Sequence, residues 1–352
     1  MSARDHRPGS LMAAEIAEQP TAWRRLLESG ASGDSDIARA AALIRAYRPR
    51  FVLFVARGTS DHAALYAKYL AEITLQLPCG LVSPSTMTAY GARPDLTGVL
   101  MIGVSQSGGS PDLVQALEVA RSRGALTVAV TNNGDSPLAT AAEAHVHIHA
   151  GPERAVAATK SYTCQLLALH LLIAAVRERA TPADTLCDAA DALIDAESGL
   201  ATIAQRYRFV SQLVTTGRGY SYPTAREGAL KLMETCYISA QAFSGADLLH
   251  GPLAMIDPQV PVLTIAADGI GGKAMSQVFP RLAEQHADVF CVGTPAAVAA
   301  SNVGVALPSN VPEELSPIVE IIPFQQLALH VALARGGNPD SPRGLQKVTE
   351  TL

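Results

Sequence analysis

VLMIGVSQSGGSPDLVQALEVARSRG, residues 99–124, is the stretch that decides the fold class. Its first six residues are apolar and partly β-branched with no polar alternation, which predicts a strand buried on both faces. Ser105-Gln106-Ser107-Gly108-Gly109-Ser110 interrupts that run, and Pro111 then stands at the favoured first position of a helix. Apolar residues recur at spacings of three and four until Gly124, which sits where a C′ glycine closes a helix. Strand, small polar loop and amphipathic helix together make half of a right-handed βαβ unit.

The unit repeats on both sides. Apolar runs at 51–56 (FVLFVA), 126–131 (LTVAVT) and 145–150 (HVHIHA) predict neighbouring strands, and DHAALYAKYLAEI at 61–73 predicts a helix. The pattern restarts at 209–219, 260–266, 288–293 and 303–308. Two strand ends, Arg57-Gly58-Thr59-Ser60 and Arg218-Gly219-Tyr220-Ser221, lead into helices and lie about half the chain apart, which points to an internal repeat. The expected fold is α/β, with two three-layer α/β/α sandwich halves built on parallel sheets. In order, we expect a helical segment over 1–45 with one helix near 12–29, then a first domain over 46–180. A connector over 181–205 follows, then a second domain over 206–335 and a tail over 336–352. Residues 160–207 read as two long helices joined near 180–182.

Composition narrows the function classes. With 48% hydrophobic and 17% charged residues, the 352-residue chain can bury a large core and is not a disordered protein. A net charge of −5 and no Lys/Arg run longer than two argue against nucleic-acid binding. No run of 18 apolar residues is present, and the opening MSARDHRPGS lacks a signal-peptide apolar stretch, so no membrane association is expected. Cys79, Cys164, Cys187, Cys236 and Cys291 are scattered, which reads as reduced thiols in a cytoplasmic protein.

Ligands of open parallel sheets bind at the carboxyl ends of strands. The 105–110 loop brings three hydroxyls and an amide to a helix N-terminus, a setting that favours an anion. Hydroxyl donors without a lysine suit a phosphomonoester; the alternative is a plain Ser/Gly turn with Ser110 as N-cap. ADGIGGKA at 267–274 lacks the first glycine and the Ser/Thr of a P-loop, and no GxGxxG follows the first strand. Only five of the 27 basic residues are lysines: Lys68, Lys160, Lys231, Lys273 and Lys347. Glu227, Lys231 and Glu234 share one helix face, either as a salt-bridge ladder or as a carboxylate base beside an ammonium. His250, before Gly251-Pro252, is either an acid/base group or a structural histidine. His145, His147 and His149 alternate along a strand; we favour an edge strand over a metal site.

Six segments together carry a resemblance to a known family: ARGTSDHAALYAKYL (56–70), SQSGGSPD (105–112), ERAVAATKSY (153–162), GRGYSYPTAREGALKLMET (217–235), DLLHGPLAMID (247–257) and NPDSPRGLQKVTETL (338–352). In this order they resemble the pair of sugar isomerase (SIS) domains that forms the isomerase half of glucosamine-6-phosphate synthase. They are also similar to stand-alone relatives that include the second type of glucosamine-6-phosphate deaminase. The resemblance runs from near Met12 to the C-terminus. It implies that Ser105, Gln106, Ser107 and Ser110, with Thr59 and Ser60, hold a sugar 6-phosphate. Val156 and Ala158 fall in a loop touching the sugar, where the synthase pattern has serine at the latter position. Glu234 corresponds to the base that moves a proton between C1 and C2, supported by Lys231. His250 corresponds to the ring-opening residue, and Lys347 to a tail lysine that contacts the substrate carbonyl or forms an imine with it. The family's histidine loop reaches a neighbouring active site, which implies a homodimer.

The resemblance implies an enzyme on a hexosamine 6-phosphate, with no metal or organic cofactor. A single helix precedes the first sandwich half and no cysteine precedes Cys79, so no glutaminase domain is expected. Met233, Ser239 and Gln241 stand where the family usually carries Lys, His and Glu. Such changes would alter the field around Glu234. They keep N-acetylglucosamine 6-phosphate dehydration open beside deamination and isomerisation. A non-catalytic sugar-phosphate sensor is the reading from another class, although the first 50 residues carry no basic recognition helix.

Overall fold

The structure, a computed structural model, describes residues 7–180, 183 and 185–347, so the expected joint at Thr181-Pro182 lies outside the described residues. The described residues form two compact units, one of residues 21–153, 160–180 and 346–347, the other of residues 7–20, 154–159, 183 and 185–345.

The first unit holds a five-stranded parallel sheet of β1 (Phe51–Val55), β2 (Cys79–Leu81), β3 (Val99–Ser105), β4 (Leu126–Thr131) and β5 (Ala144–His147) in the order β2-β1-β3-β4-β5. Both faces are covered, which is why its central strands are continuous apolar runs. On one face Val55, Met101 and Ala129 pack against Leu113, Leu117 and Leu138 of the short layer that follows. We number helices along the whole chain. Those before β1 are α1 (Ser10–Ala17), α2 (Gln19–Gly30) and α3 (Asp36–Tyr47). Within the sheet come α4 (Gly58–Thr74), α5 (Pro84–Thr88), α6 (Pro111–Ser122) and α7 (Pro137–Ala141), and α8 (Lys160–Val176) follows it. Helices α3, α4 and α8 pack together on the opposite side from α5, α6 and α7. The sole tryptophan, Trp23, is fully buried and donates its indole N–H to Thr163 of α8 at 3.0 Å.

The second unit repeats the plan with β6 (Gln212–Gly217), β7 (Ser239–Ser244), β8 (Val262–Ala266), β9 (Val289–Gly293) and β10 (Val303–Ala306), ordered β10-β9-β8-β6-β7 and again all parallel. Its helices are α9 (Leu186–Asp195), α10 (Glu197–Tyr207), α11 (Ser221–Cys236), α12 (Gly245–Leu249), α13 (Ile270–Ala274), α14 (Val278–Glu284), α15 (Pro295–Ala299) and α16 (Ser316–Ala334). Helix α16 is long and apolar enough to cross a membrane by composition, yet most of it is buried against α9, α10 and α11. Close approach of α11 to α16 requires Gly228, since a Cβ there would lie 2.6 Å from the Phe324 ring.

Several local expectations are corrected. The N-terminal region carries three helices instead of one. Two additional strands, β2 and β7, lie at sheet edges where their sequences, CGL and SAQAFS, show no buried-run signature. Among the described residues of 160–207 there are three helices, with α9 and α10 separated only by Ala196.

One buried acid links α16 to α11. Glu320 accepts hydrogen bonds at Oε1 from Ser316 Oγ (2.6 Å) and Ser221 Oγ (2.9 Å), while Oε2 has no hydrogen-bond partner among the described residues. Burial pushes its carboxyl up to about 7 against the smaller opposing effect of the serine bonds. A folded-state pKa above the unfolded value means the native state binds the extra proton. Stability from this group is then full below about pH 4.5 and lost as pH rises toward 7. We expect Glu320→Gln to flatten that slope and to exceed the parent by roughly 2–3 kcal/mol at pH 8, with near equality at pH 4.5. Urea unfolding at both pH values checks this; parallel slopes for parent and variant would contradict it.

Candidate active site

The order of the first sheet places its topological switch between β1 and β3, because the chain leaves β1 toward β2 and returns on the other side as β3. The segments after these two strands are therefore neighbours: Thr59 and Ser60 lie in the first turn of α4, and 105–110 runs from the end of β3 to the cap of α6. Ser105 ends β3 and is buried; its hydroxyl accepts the Gly108 N–H at 3.0 Å. Ser107 Oγ accepts the Gly109 N–H at 3.3 Å. Ser110 is the N-cap of α6, but its hydroxyl makes no capping bond, which leaves it available for another acceptor or donor. Ser60 is buried and accepts a bond from Gln165 Nε2 at 3.0 Å, while Thr59 is half-buried. Arg57 closes the arrangement: its guanidinium makes two 2.8 Å contacts to the buried Asp112 Oδ2 in the first turn of α6. The two loops are thus braced by an ion pair that the sequence reading did not single out.

Gly108 turns this loop with φ +68°, and a Cβ there would lie 2.2 Å from Ser136 Oγ. Gly108→Ala combines backbone strain with a clash. We expect a loss of about 1–3 kcal/mol in urea unfolding. A variant that kept full stability would remove the loop's conformation as the reason for its sequence.

The equivalent loop of the second unit, between β8 and α13, is already filled. Glu313 accepts the Ile270 N–H at 2.9 Å and the Gly271 N–H at 2.7 Å, so a side-chain carboxylate sits on those amides. The Glu313 carboxylate thus occupies two amides of the P-loop-like 267–274 segment.

Helix α11 carries the acid/base candidates. Glu227 and Lys231 are fully buried, with Lys231 Nζ 3.3 Å from Glu227 and 2.6 Å from Glu234 Oε2. Glu234 is the member of the three that reaches solvent, its side chain 23% exposed. Burial would push the lysine down, but the two carboxylates override it and hold the ammonium above its ordinary range. The trio forms a salt-bridge ladder, and it places the Glu234 carboxylate at the surface beside the ammonium. Met233, Ser239 and Gln241 are all exposed, and the ion-pair partner given to Glu234 is Lys231. His250 is exposed at the end of α12 and lines a cavity of about 180 Å³ with Arg218 and Gln277.

The loop holding Val156 and Ala158, both half-buried, is fixed by side chains distant in sequence. Glu15 of α1 accepts the Arg154 and Ala155 N–H groups, and the Val156 N–H donates to the Asp340 carbonyl at 3.1 Å. Asp340 in turn caps α1 through the Met12 N–H at 2.8 Å. Lys347 Nζ lies 2.8 Å from Glu153 Oε2, a contact the sequence reading missed. Of the other lysines, Lys160 is buried, Lys68 pairs with Glu72 and Lys273 is exposed. Strand β5 lies at the sheet edge, as expected for the histidine segment, with Val146 and Ile148 buried and His145, His147 and His149 half-buried. Their ring nitrogens are engaged: His145 with Thr131, His149 with Ser29, and His147 Nδ1 with the His149 N–H. Among the described residues no group of three or more His, Cys, Asp or Glu is placed to hold a metal ion.

Comparison with known proteins agrees with this architecture. The SIS domain family matches residues 47–175 and 208–335. The isomerizing glutamine–fructose-6-phosphate aminotransferase of Methanothermobacter thermautotrophicus is 37% identical over 84% of this chain and 51% of its own length. The chain thus spans about half the length of the curated relatives it matches. A solved structure from Silicibacter pomeroyi, assigned to the phosphosugar isomerases, is 35% identical with a TM-score of 0.77, covering 94% of this chain and 99% of that one. The C-terminal domain of glucosamine-fructose-6-phosphate aminotransferase from Francisella tularensis is 25% identical with a TM-score of 0.83, covering 96% and 98%.

Proposed function

The chain belongs to the SIS domain family, and on that premise we propose that it is an enzyme acting on a hexosamine 6-phosphate. The observation that carries this reading is the α11 trio, in which a buried ammonium steadies a carboxylate that alone reaches solvent. A sensor needs only to bind; a partly exposed carboxylate held beside a buried cation is what proton transfer needs. In this reading Ser105, Gln106, Ser107 and Ser110, with Thr59 and Ser60, hold the 6-phosphate, and that binding orients the sugar. Val156 and Ala158 line the sugar. His250 opens the ring, acting in the active site of the partner in a homodimer. Glu234 removes the C2 proton of the open-chain aldehyde, and the electron pair moves toward C1 to give an enolamine. Return of the proton to C1 yields the 2-imine of the ketose, and water then releases ammonia and fructose 6-phosphate. Lys231 holds the Glu234 carboxylate in place through the 2.6 Å ion pair, and no metal or organic cofactor enters any step.

Mass spectrometry of products from glucosamine 6-phosphate and from N-acetylglucosamine 6-phosphate tests the proposal. Ammonia and a hexose 6-phosphate from the first substrate support deamination. Loss of one water from the second would move the reading to a dehydratase, in which the C2 carbanion expels the C3 hydroxyl. Binding without turnover of either would make the protein a sensor and overturn the enzymatic reading.

A further inference from the structure

Arg57 is the N-cap of α4, directly before Gly58-Thr59-Ser60, and Asp112 stands in the first turn of α6, two positions past Ser110. Their ion pair therefore joins the two segments that we propose hold the phosphate. Its burial is lopsided: the Asp112 side chain is 1% exposed and that of Arg57 51%. Arg57 Nε and Nη2 both lie 2.8 Å from Asp112 Oδ2, while Asp112 Oδ1 accepts the Leu113 N–H at 2.9 Å. The guanidinium is thus pinned along one edge, and its Nη1 group has no partner among the described residues.

Charge gives this half-exposed cation a use. The side chains of Ser105, Gln106, Ser107, Ser110, Thr59 and Ser60 are all neutral, whereas a phosphomonoester carries about −1.5 to −2 at pH 7. A buried carboxylate close to them would repel that anion unless a cation offset it. A guanidinium is a planar fork with five N–H donors, so one edge can hold Asp112 while another meets a phosphate oxygen. A lysine ammonium offers one point charge and no such fork. We propose that Arg57 is a further phosphate ligand, donating from the part of the guanidinium that Asp112 leaves free. This role rests on the reading that the 105–110 loop, with Thr59 and Ser60, holds a sugar 6-phosphate.

Removing Arg57 alone would strand the buried Asp112 charge and mix two effects. The deciding variant is Arg57→Gln/Asp112→Asn, which removes both charges and leaves neutral hydrogen-bonding groups in their place. Calorimetric titration of the full chain with fructose 6-phosphate, alone and in competition with inorganic phosphate, supplies the readout, and a cooperative urea transition establishes folding. We expect the double variant to bind fructose 6-phosphate at least about tenfold more weakly, as loss of a charge-assisted contact requires, with competition by inorganic phosphate weakened by a like factor. Parent-like affinity in the folded double variant would mean that Arg57 only neutralises Asp112, and the proposal falls. Weaker fructose 6-phosphate binding with unchanged phosphate competition would put the loss on the sugar and overturn it as well. Should the double variant not fold, Arg57→Lys keeps a cation beside Asp112 without the fork; we expect about a fivefold loss of affinity, and none would overturn the proposal. Ser107→Ala reports on the underlying reading. If it weakens binding while the double variant does not, the phosphate loop stands and the role of Arg57 fails. A parent protein that binds neither ligand removes the loop reading, and the role of Arg57 with it.

Discussion

Glu234→Gln should reduce turnover of a hexosamine 6-phosphate by a factor of about 10²–10⁴, with affinity for the sugar phosphate held within a few-fold. Glutamine keeps the size and the hydrogen-bond reach of the side chain but cannot accept the C2 proton. Its neighbour Lys231 loses one of two carboxylate partners, though Glu227 at 3.3 Å remains to neutralise it, so the fold should survive. The loop after β3 that we propose holds the phosphate does not include Glu234, so binding through it should be untouched. Steady-state kinetics together with calorimetric titration of fructose 6-phosphate give the answer. Full turnover in the variant would remove Glu234 as the base, and loss of binding with turnover would show a structural role instead.

Lys231→Met is expected to cost about 3–5 kcal/mol of stability, the effect of removing one partner from a buried ion pair. The reason lies in the accounting of charge. Glu227 and Lys231 are 0% and 1% exposed, and Glu234 lies 2.6 Å from the same ammonium. Without that cation, Glu227 is a buried carboxylate that has lost its Lys231 partner. The double variant Lys231→Met/Glu227→Gln should recover a large part of the loss, because it removes the stranded charge as well. Urea unfolding of the single and double variants tests this. Additive losses would show that the pair does not act as a unit.

Much of the architecture was legible because parallel strands covered on both faces have to be apolar along their whole length. Runs such as FVLFVA and LTVAVT carry that requirement without ambiguity, and they became β1 and β4. Edge strands escape it. CGL and SAQAFS pair on one side only, and their residues are mostly half-buried or exposed, so they do not form an apolar run. The histidine strand was readable as an edge because its alternating polar face showed directly in the sequence. Helix boundaries in the N-terminal region had local marks that the apolar periodicity masked: Pro20 in the first turn of α2, and Gly30, Gly33 and the Ser35 cap between α2 and α3.

Site residues divide along the same line. Those within one loop or one helix were set by the sequence alone: the Ser105–Ser110 cluster by its place after a strand and before Pro111, and Glu227, Lys231 and Glu234 by helical spacing. The sequence could not reveal that Glu234 alone of its trio reaches solvent, or that Glu313 already occupies the second half's corresponding amides. Nor could it pair Glu153 with Lys347, 194 residues away, or Glu15 with Arg154, 139 residues away. Periodicity and capping act over one turn or one loop, so they record local geometry in adjacent letters. A buried carboxylate is satisfied by whichever donor the packed fold delivers to it. That choice is made by burial and charge in three dimensions and leaves no spacing to read.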